Sequence, residues 1–237
     1  MKKVFFIMLS TLLCVSLNAQ TQGELVKHYE AYYAQMKKQG DVQGIIDAMT
    51  HLNVLQPSAA RLDTLAYIYM SDGRYVQALN TIGFEHDANA SDIAVEVKAV
   101  SLKALSELER ALEHFNELYK RNANPLLAYE LAEINLQLEH LEEAKKLINY
   151  GIANVKDTSM KGFYETQRPY QVPLKAAFYY LKGLLVYTED RDANLERALG
   201  FIDQAMALAP NFNMARVTKE ALLNNQKPVE PLPSAED

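Results

Sequence analysis

Small and large apolar residues recur along this chain with the spacing of packed helices, and the whole pattern repeats. Two alanines stand twelve residues apart, and the same pair returns at intervals of 33 residues. The three pairs are Ala66/Ala78, Ala99/Ala111 and Ala132/Ala144. A large apolar residue follows each second alanine by four positions, as at Ile82, Phe115 and Ile148. Small residues let two antiparallel helices approach closely, and large ones fill the space between neighbouring pairs, so the repeat predicts stacked helix hairpins.

A glycine marks the reversal between the two helices of the first two hairpins. Gly73 separates the helix-like runs "LAYIYM" and "YVQAL", and Gly40 holds the same place 33 residues earlier. Glycine takes a positive φ without steric cost, so it can end the first helix and let the chain turn back. Pro57 and Pro125 then mark the ends of units, because proline stops the preceding helix.

The pattern resembles the tetratricopeptide repeat. The stretches "LAYIYMSDGRYVQAL" (65–79), "KAVSLKALSELERALEHF" (98–115) and "LAEINLQLEHLEEAKKLI" (131–148) carry the resemblance, and "LERALGFIDQAMALAP" (195–210) resembles the end of a further copy. The resemblance implies an all-α fold, a right-handed superhelical array of antiparallel helix hairpins of the α-solenoid type.

The resemblance divides residues 22–225 into about five units with added segments. Ala144 and Ala198 are 54 residues apart, about 21 more than one repeat, which predicts an excursion at 157–173. A polar-faced helix at 211–225 is expected to cap the stack. Residues 226–237 are rich in proline and are expected to form a disordered tail. The predicted units cover residues 24–57, 58–91, 92–125, 126–158 and 174–210.

The N-terminus has the pattern of a secretory signal peptide at residues 1–19. Lys2 and Lys3 precede the apolar stretch 4–17, and Ala19 offers a small residue for cleavage. The stretch is shorter than a membrane span, although an uncleaved anchor is the alternative. The pattern predicts export, with the periplasm of a Gram-negative bacterium as the expected compartment.

The single cysteine, Cys14, lies inside this apolar stretch. The mature chain is therefore expected to contain no disulfide and no thiol chemistry. Attachment of a lipid at Cys14 is a less favoured alternative, because bulky Leu13 stands where lipoprotein signals have a small residue.

The remaining composition argues against several classes of function. The formal net charge is −6, so non-specific binding to a nucleic acid backbone is not expected. The sequence lacks the phosphate-loop, dinucleotide, zinc-hydrolase and nucleophile-elbow motifs. We therefore predict no enzymatic activity, no cofactor and no metal site.

In tetratricopeptide-repeat proteins the first helices of successive units line a concave groove. The resemblance implies that a partner peptide or helix binds there, against carboxylates, tyrosines and apolar side chains of this chain. The predicted groove residues are Glu30, Asp63, Tyr67, Met70, Glu96, Lys103, Tyr129, Glu133, Tyr180 and Tyr187. Such a groove would suit a partner that carries both basic and apolar groups. The alternative is an ordinary surface without a common ligand.

The excursion offers a second candidate contact surface. Phe163, Tyr164, Arg168 and Tyr170 are of the aromatic and basic types that are enriched at interface hot spots. The alternative is that these rings pack back onto the fourth and fifth units, since exposed aromatic rings are costly without a partner.

These features together predict a non-catalytic protein-interaction scaffold or assembly adaptor in the bacterial envelope. A periplasmic accessory protein that captures a peptide or a glycan is the alternative. One subclass of the family binds chaperone tails through Lys and Asn in the groove. Glu30, Asp63 and Glu96 stand where the first such Lys is expected, so that function is not predicted.

Overall fold

Helices form most of the part of the chain that the computed structural model describes, residues 21–224. The predicted signal peptide, Cys14 and the tail at 226–237 lie outside the described residues. In chain order the elements are α1 (Gln22–Gln39), α2 (Val42–Leu55), α3 (Ala59–Ser71), α4 (Tyr75–Ile82), α5 (Asp92–Ala104), α6 (Leu108–Arg121), α7 (Pro125–Gln137), α8 (Leu141–Asn154), β1 (Met160–Phe163), β2 (Tyr170–Pro173), α9 (Leu174–Glu189), α10 (Leu195–Leu208) and α11 (Asn213–Asn224).

The chain divides into two compact units. Unit 1 ends at Ser101 and unit 2 begins at Leu102, inside α5. Within unit 1, α1 packs with α2 and α3 packs with α4. Within unit 2, α7 packs with α8 and α9 packs with α10. The predicted all-α fold of helix hairpins is confirmed.

The first four hairpins share one left-handed turn. Backbone φ is positive at Gly40 (71°), Gly73 (75°), Ser106 (63°) and Glu139 (58°). These residues follow one another at intervals of 33, which is the interval of the alanine pairs. The glycine pattern predicted the first two turns. The other two carry side chains, and a non-glycine residue with this φ costs roughly 1–2 kcal/mol, so packing of the helices outweighs local preference there.

The turn satisfies backbone groups that the end of a helix leaves free. At Gly73 the glycine N–H donates to the Met70 carbonyl (3.0 Å), and the N–H of Arg74 donates to the Tyr69 carbonyl (2.8 Å). The turns at Gly40, Ser106 and Glu139 repeat both hydrogen bonds at the same offsets. This pair of bonds defines a Schellman motif, which closes a helix and redirects the chain within two residues.

The small residues lie where two helices meet. In unit 1, Ala66 and Ala78 are completely buried and form a cluster with Val97. In unit 2, Gly183 of α9 lies against α10. A Cβ at this glycine would stand 2.7 Å from Cγ1 of Ile202 and 3.0 Å from the Ala198 carbonyl oxygen. A larger residue at these positions would therefore force the helices apart.

Asn135 is a polar residue at a position that is apolar in neighbouring repeats, and its environment explains it. The side chain is buried, its Nδ2 donates to the Leu131 carbonyl (2.7 Å), and its Oδ1 lies 3.3 Å from Nδ1 of His140. A buried amide with both ends satisfied is tolerated in a core.

The segment between α8 and α9 forms a β-hairpin, which the sequence pattern did not predict. Strands β1 and β2 are antiparallel, with Lys161 opposite Val172 and Phe163 opposite Tyr170. Pro173 ends β2, and α9 begins at the next residue.

The positive φ at Glu139 leads to a test of the turn. We expect Glu139→Gly to raise the free energy of unfolding by about 0.5–1 kcal/mol, because glycine adopts this φ without steric strain. Gln137→Gly, two residues earlier and inside α7, is the control and should lower it by about 0.5–1 kcal/mol. Urea denaturation measures both. Destabilisation of similar size in both variants would contradict the proposed strain at Glu139.

Candidate partner-binding surfaces

One face of the β-hairpin is directed into unit 2. Phe163 and Val172 are buried and Lys161 and Tyr170 are half-buried, whereas Met160 and Gln171 are exposed. Side chains alternate between the two faces of a strand, so the four partly or fully buried residues share one face. The hairpin is thus a packed element and not a free loop.

Aromatic rings anchor the hairpin. The Phe163 ring stacks on Tyr170 with centroids 5.7 Å apart and lies 4.9 Å from the Phe212 ring. Phe212 lies in turn 5.3 Å from Tyr180 of α9. The Met214 N–H donates to the Tyr170 hydroxyl (3.2 Å), which ties the hairpin to the start of α11.

A four-residue ion network holds the same hairpin to α7. Lys161 of β1 pairs with Glu130 at 2.5 Å, and its Nζ lies 5.0 Å from the centre of the Tyr129 ring. Lys103 pairs with Glu130 at 2.5 Å and also with Glu133. The network contains two lysines and two glutamates, so its formal charges cancel.

Charge pairing dominates the ionisation of the network. Burial raises the pKa of Glu130, but Lys103 and Lys161 outweigh it, so the net pKa is lower than that of an ordinary glutamate. Burial lowers the pKa of Lys103, but Glu130 and Glu133 outweigh it, so the net pKa is raised.

Two predicted groove tyrosines are not available to a partner, which corrects their assignment. Tyr129 is 0% exposed and Tyr180 is 6% exposed. Burial raises the pKa of both hydroxyls. The Tyr180 hydroxyl lies 3.1 Å from that of Thr218, while the Tyr129 hydroxyl has no hydrogen-bond partner within residues 21–224. Both rings belong to the core that the hairpin covers.

The other predicted residues of unit 2 are also engaged within the unit. Lys103 and Glu133 belong to the ion network, and Tyr187 packs half-buried against the hydrophobic core. The sequence analysis did not single out Glu130 or Lys161. No periodic signal marks them, because their pairing depends on where the hairpin folds.

The predicted contact residues of the hairpin divide into two groups. Phe163 and Tyr170 pack inward, as the alternative interpretation of the excursion held. Burial and the hydrogen bond that Tyr170 donates to Glu165 (2.5 Å) raise the pKa of Tyr170 to about 12. Tyr164 is 78% exposed and Arg168 is exposed, so only these two remain available at the hairpin tip.

In unit 1 the predicted groove residues are exposed or half-buried. Glu30 and Glu96 are exposed, Tyr67 is 43% exposed, and Asp63 and Met70 are half-buried. These five residues are called the unit 1 face below. Glu30 also lines an open depression of about 480 Å³.

The described part of the chain shows neither a metal-binding cluster nor a membrane-spanning helix. Among residues 21–224, no group of three or more His, Cys, Asp or Glu side chains is arranged to hold a metal ion. Within the same range, no helix combines the length and the apolar character needed to cross a bilayer.

Solved structures share this fold. MamA superposes with a TM-score of 0.58 over 88% of this chain and 100% of its own, at 16% sequence identity. A chain of the APC/C hetero-tetramer Cut9–Hcn1 superposes with a TM-score of 0.52 over 87% of this chain and 37% of its own, also at 16% identity. Both are tetratricopeptide-repeat proteins. The chain has the fold of these tetratricopeptide-repeat proteins. No protein-family model and no curated protein matches its sequence.

The tetratricopeptide-repeat fold thus presents its first helices differently in the two units. In unit 1 the first-helix face carries exposed carboxylates and the exposed Tyr67 ring. In unit 2 the chain's own hairpin lies on α7, with Lys161 against Glu130 and Tyr129.

The packing of the hairpin leads to a paired test. Phe163→Ala should lower the free energy of unfolding by about 3 kcal/mol, because it empties a buried aromatic site. Tyr164→Ala, at the next position but 78% exposed, should change it by less than about 0.5 kcal/mol. Urea denaturation measures both, and hydrogen exchange at residues 160–173 reports local opening. Equal effects of the two changes would contradict the orientation described for the hairpin.

The ion network leads to a prediction about pH. The pKa of Glu130 is lower in the folded chain than the ordinary 4.5, so its contribution is present above about pH 4.5 and is lost as pH falls through the folded pKa. Glu130→Gln should cost about 1–3 kcal/mol at pH 7 and flatten the loss of stability in acid.

The matched control for this prediction is Glu143→Gln. Glu143 pairs with Lys146 on the surface, and its side chain is 59% exposed. Removing an exposed pair should change the free energy of unfolding by less than about 0.5 kcal/mol. Denaturation curves between pH 3 and 7 compare the variants. If Glu130→Gln keeps the acid slope of the unchanged chain, the network does not stabilise unit 2 as described.

Proposed function

We propose that this chain is a non-catalytic protein-interaction scaffold whose partner binds the unit 1 face. The observation that carries the proposal is the contrast between the faces. Tyr129 and Tyr180 are buried within unit 2, whereas Tyr67 in unit 1 keeps 43% of its surface exposed. A large, stiff aromatic side chain beside charged groups is a common anchor in protein interfaces.

The charge of the unit 1 face supports a basic partner. Glu30 and Glu96 are exposed, Asp63 is half-buried, and Met70 adds apolar surface beside them. Carboxylates of one sign on a face attract a partner with lysines or arginines and orient it during encounter.

The fold supports the same general role. One similar structure, Cut9–Hcn1, is a hetero-tetramer, so a related fold takes part in a complex of different proteins. Stacked helix hairpins create long surfaces that suit such contacts. A non-catalytic role agrees with a sequence that contains no recognised catalytic motif.

We place the protein in the envelope of a bacterium, most simply the periplasm. Lys2, Lys3 and the apolar stretch 4–17 support export, and Ala19 supports cleavage. Attachment through a lipid at Cys14 stays the less favoured form of this proposal, because Leu13 precedes it.

Site-specific photocrosslinking in the native envelope tests the partner surface. A photoreactive phenylalanine analogue at Tyr67 should capture one dominant protein, which mass spectrometry identifies. The control position is Val54, which is 75% exposed on α2, the second helix of its hairpin. Absence of an adduct at Tyr67, or the same adducts at both positions, would reject the unit 1 face as the binding surface.

The yield of the crosslinked adduct at Tyr67 also tests the role of charge on the unit 1 face. The joint change of Glu30→Gln, Asp63→Asn and Glu96→Gln should weaken capture and reduce its dependence on salt. Asp47→Asn, which removes one exposed carboxylate from α2, should leave capture unchanged. An unchanged salt dependence in the triple variant would remove the electrostatic part of the proposal.

A further inference from the structure

The register of the β-hairpin shows which backbone groups point away from it. The Leu174 N–H donates to the Ser159 carbonyl (2.8 Å), so these two residues, which extend the pairing of β1 and β2 by one position, face each other across the ladder. In an antiparallel pair, residues that exchange hydrogen bonds alternate with residues whose N–H and C=O groups point outward. Met160 and Gly162 of β1 and Gln171 of β2 therefore direct their backbone groups to the outer edges of the hairpin.

The outer edge of β2 is closed to a further strand. The Gln171 carbonyl accepts a hydrogen bond from Nδ2 of Asn211 (3.1 Å), just before α11. Pro169 and Pro173 stand two residues to either side of Gln171, at the neighbouring outward positions, and have no N–H to donate. Proline at such positions protects an edge strand from pairing with another chain.

The outer edge of β1 lacks this protection. Within residues 21–224, the outward backbone groups of Met160 and Gly162 form no hydrogen bond. Met160 is 46% exposed, and Gly162 has no side chain to hinder a neighbouring backbone. The Tyr164 ring lies along the strand, since a Cβ at Gly162 would stand 3.2 Å from its hydroxyl oxygen. An unpaired edge flanked by exposed apolar side chains is a template for another strand.

A depression adjoins the start of this edge. It measures about 370 Å³, and Met160 lines it together with Leu126 of α7, which is 47% exposed. Lys156 is the single charged residue among those that line it, and it forms no ion pair within residues 21–224. A strand added to β1 would therefore find a place for a large apolar side chain, next to a cation that attracts a carboxylate.

The position of α7 favours a single segment over a second copy of this chain. Lys161 on the inner face of β1 reaches Glu130 of α7 (2.5 Å), whereas β2 contacts the start of α11, so the free edge of β1 faces the α7 side. Two copies paired antiparallel along β1 would be related by a two-fold axis perpendicular to the sheet. Both bodies would then lie on the same side of the sheet, where α7 already stands. A lone extended segment needs no such space.

We propose that the free edge of β1 binds an extended segment of a partner protein as a third strand. The segment carries a large apolar side chain for the depression and an acidic residue near Lys156. Hydrogen bonds with the backbone of Met160 and Gly162 provide affinity, and the depression provides selectivity. This surface lies in unit 2 and does not depend on the unit 1 face.

A peptide selected on the full chain tests the proposal. The immobilised chain is screened against a displayed library of random 12-residue peptides, and peptides that also bind the Tyr164→Ala variant are removed. The most enriched peptide is synthesised with a fluorescent label and titrated by anisotropy. We expect saturable binding. Methylation of its backbone nitrogens, one at a time, should weaken binding about 3- to 10-fold at every second position, because alternate N–H groups face β1.

Two substitutions at Gly162 separate backbone pairing from side-chain contact. Gly162→Pro removes an outward N–H without taking a bond from the β1–β2 ladder, and it should weaken the peptide about 3- to 10-fold. Gly162→Ala is the matched control. It keeps the N–H, and its Cβ meets only the flexible Tyr164 side chain, so affinity should stay within about 2-fold. Equal affinities of the two variants would show that the peptide does not pair with β1 and would overturn the proposal.

Amide exchange in the unchanged chain gives a test that does not depend on the folding of a variant. A saturating concentration of the peptide should slow exchange at the amides of Met160 and Gly162, whose N–H groups are otherwise free. Unchanged exchange at both amides, failure to enrich a saturable peptide, or equal effects of methylation at successive peptide positions would each overturn the proposal. A dimer in sedimentation without peptide that Gly162→Pro abolishes would also overturn it, because a second copy would then occupy the edge.

This proposal and the proposed function fail separately. Tyr67→Ala should leave the affinity of the selected peptide unchanged, because that ring belongs to unit 1. If Tyr67→Ala weakens the peptide as strongly as Gly162→Pro does, the peptide does not report on β1 and the proposal is wrong. A failure of crosslinking at Tyr67 would reject the unit 1 face alone.

Discussion

The reversal of the chain after each first helix is the constraint on which the repeats depend. In the first four hairpins the second helix starts within a few residues of the first, and so tight a reversal needs a positive φ. Only α9 and α10 pack across a longer connection, residues 190–194, among the hairpins of the described part of the chain. Glycine meets this need at Gly40 and Gly73, while Ser106 and Glu139 adopt the same conformation against their own preference. All four turns make the same pair of hydrogen bonds, so the turn geometry is the same whether the residue with positive φ is a glycine or not. The alanine contacts between the paired helices follow from this geometry, because the returning helix runs close to the first.

The β-hairpin changes which side chains the first helices of unit 2 leave accessible. It inserts Lys161 and Phe163 into unit 2, where Lys161 pairs with Glu130 and Phe163 packs against the rings of Tyr170 and Phe212. The lysine offsets the buried charge of Glu130, and the phenylalanine removes apolar surface from water. A face that the repeat pattern makes available for binding is therefore occupied by the chain itself. The unit 1 face has no such cover over Tyr67 in the described residues.

This difference gives the proposed function its physical basis. A carboxylate beside a tyrosine ring can receive a cation through charge and through the ring face together, as Glu130 and Tyr129 receive Lys161. Unit 2 satisfies these two groups internally, whereas Tyr67 of unit 1 stays 43% exposed. One first-helix face thus serves stability, and the other is proposed to serve binding.

The sequence by itself determined the helix hairpins, because close packing of helices requires small residues such as Ala66 and Ala78 at regular intervals, and such intervals are visible in a single chain. It also indicated an insertion near 157–173, through the lengthened interval before Ala198. Only the tertiary structure decided that this segment forms a hairpin and that it buries Tyr129 and Tyr180. The exposure of a side chain depends on whichever segment comes to lie above it. The register of α7 alone therefore predicted an accessible Tyr129, and it could not show that Lys161 of the hairpin, some 30 residues later, would lie over its ring.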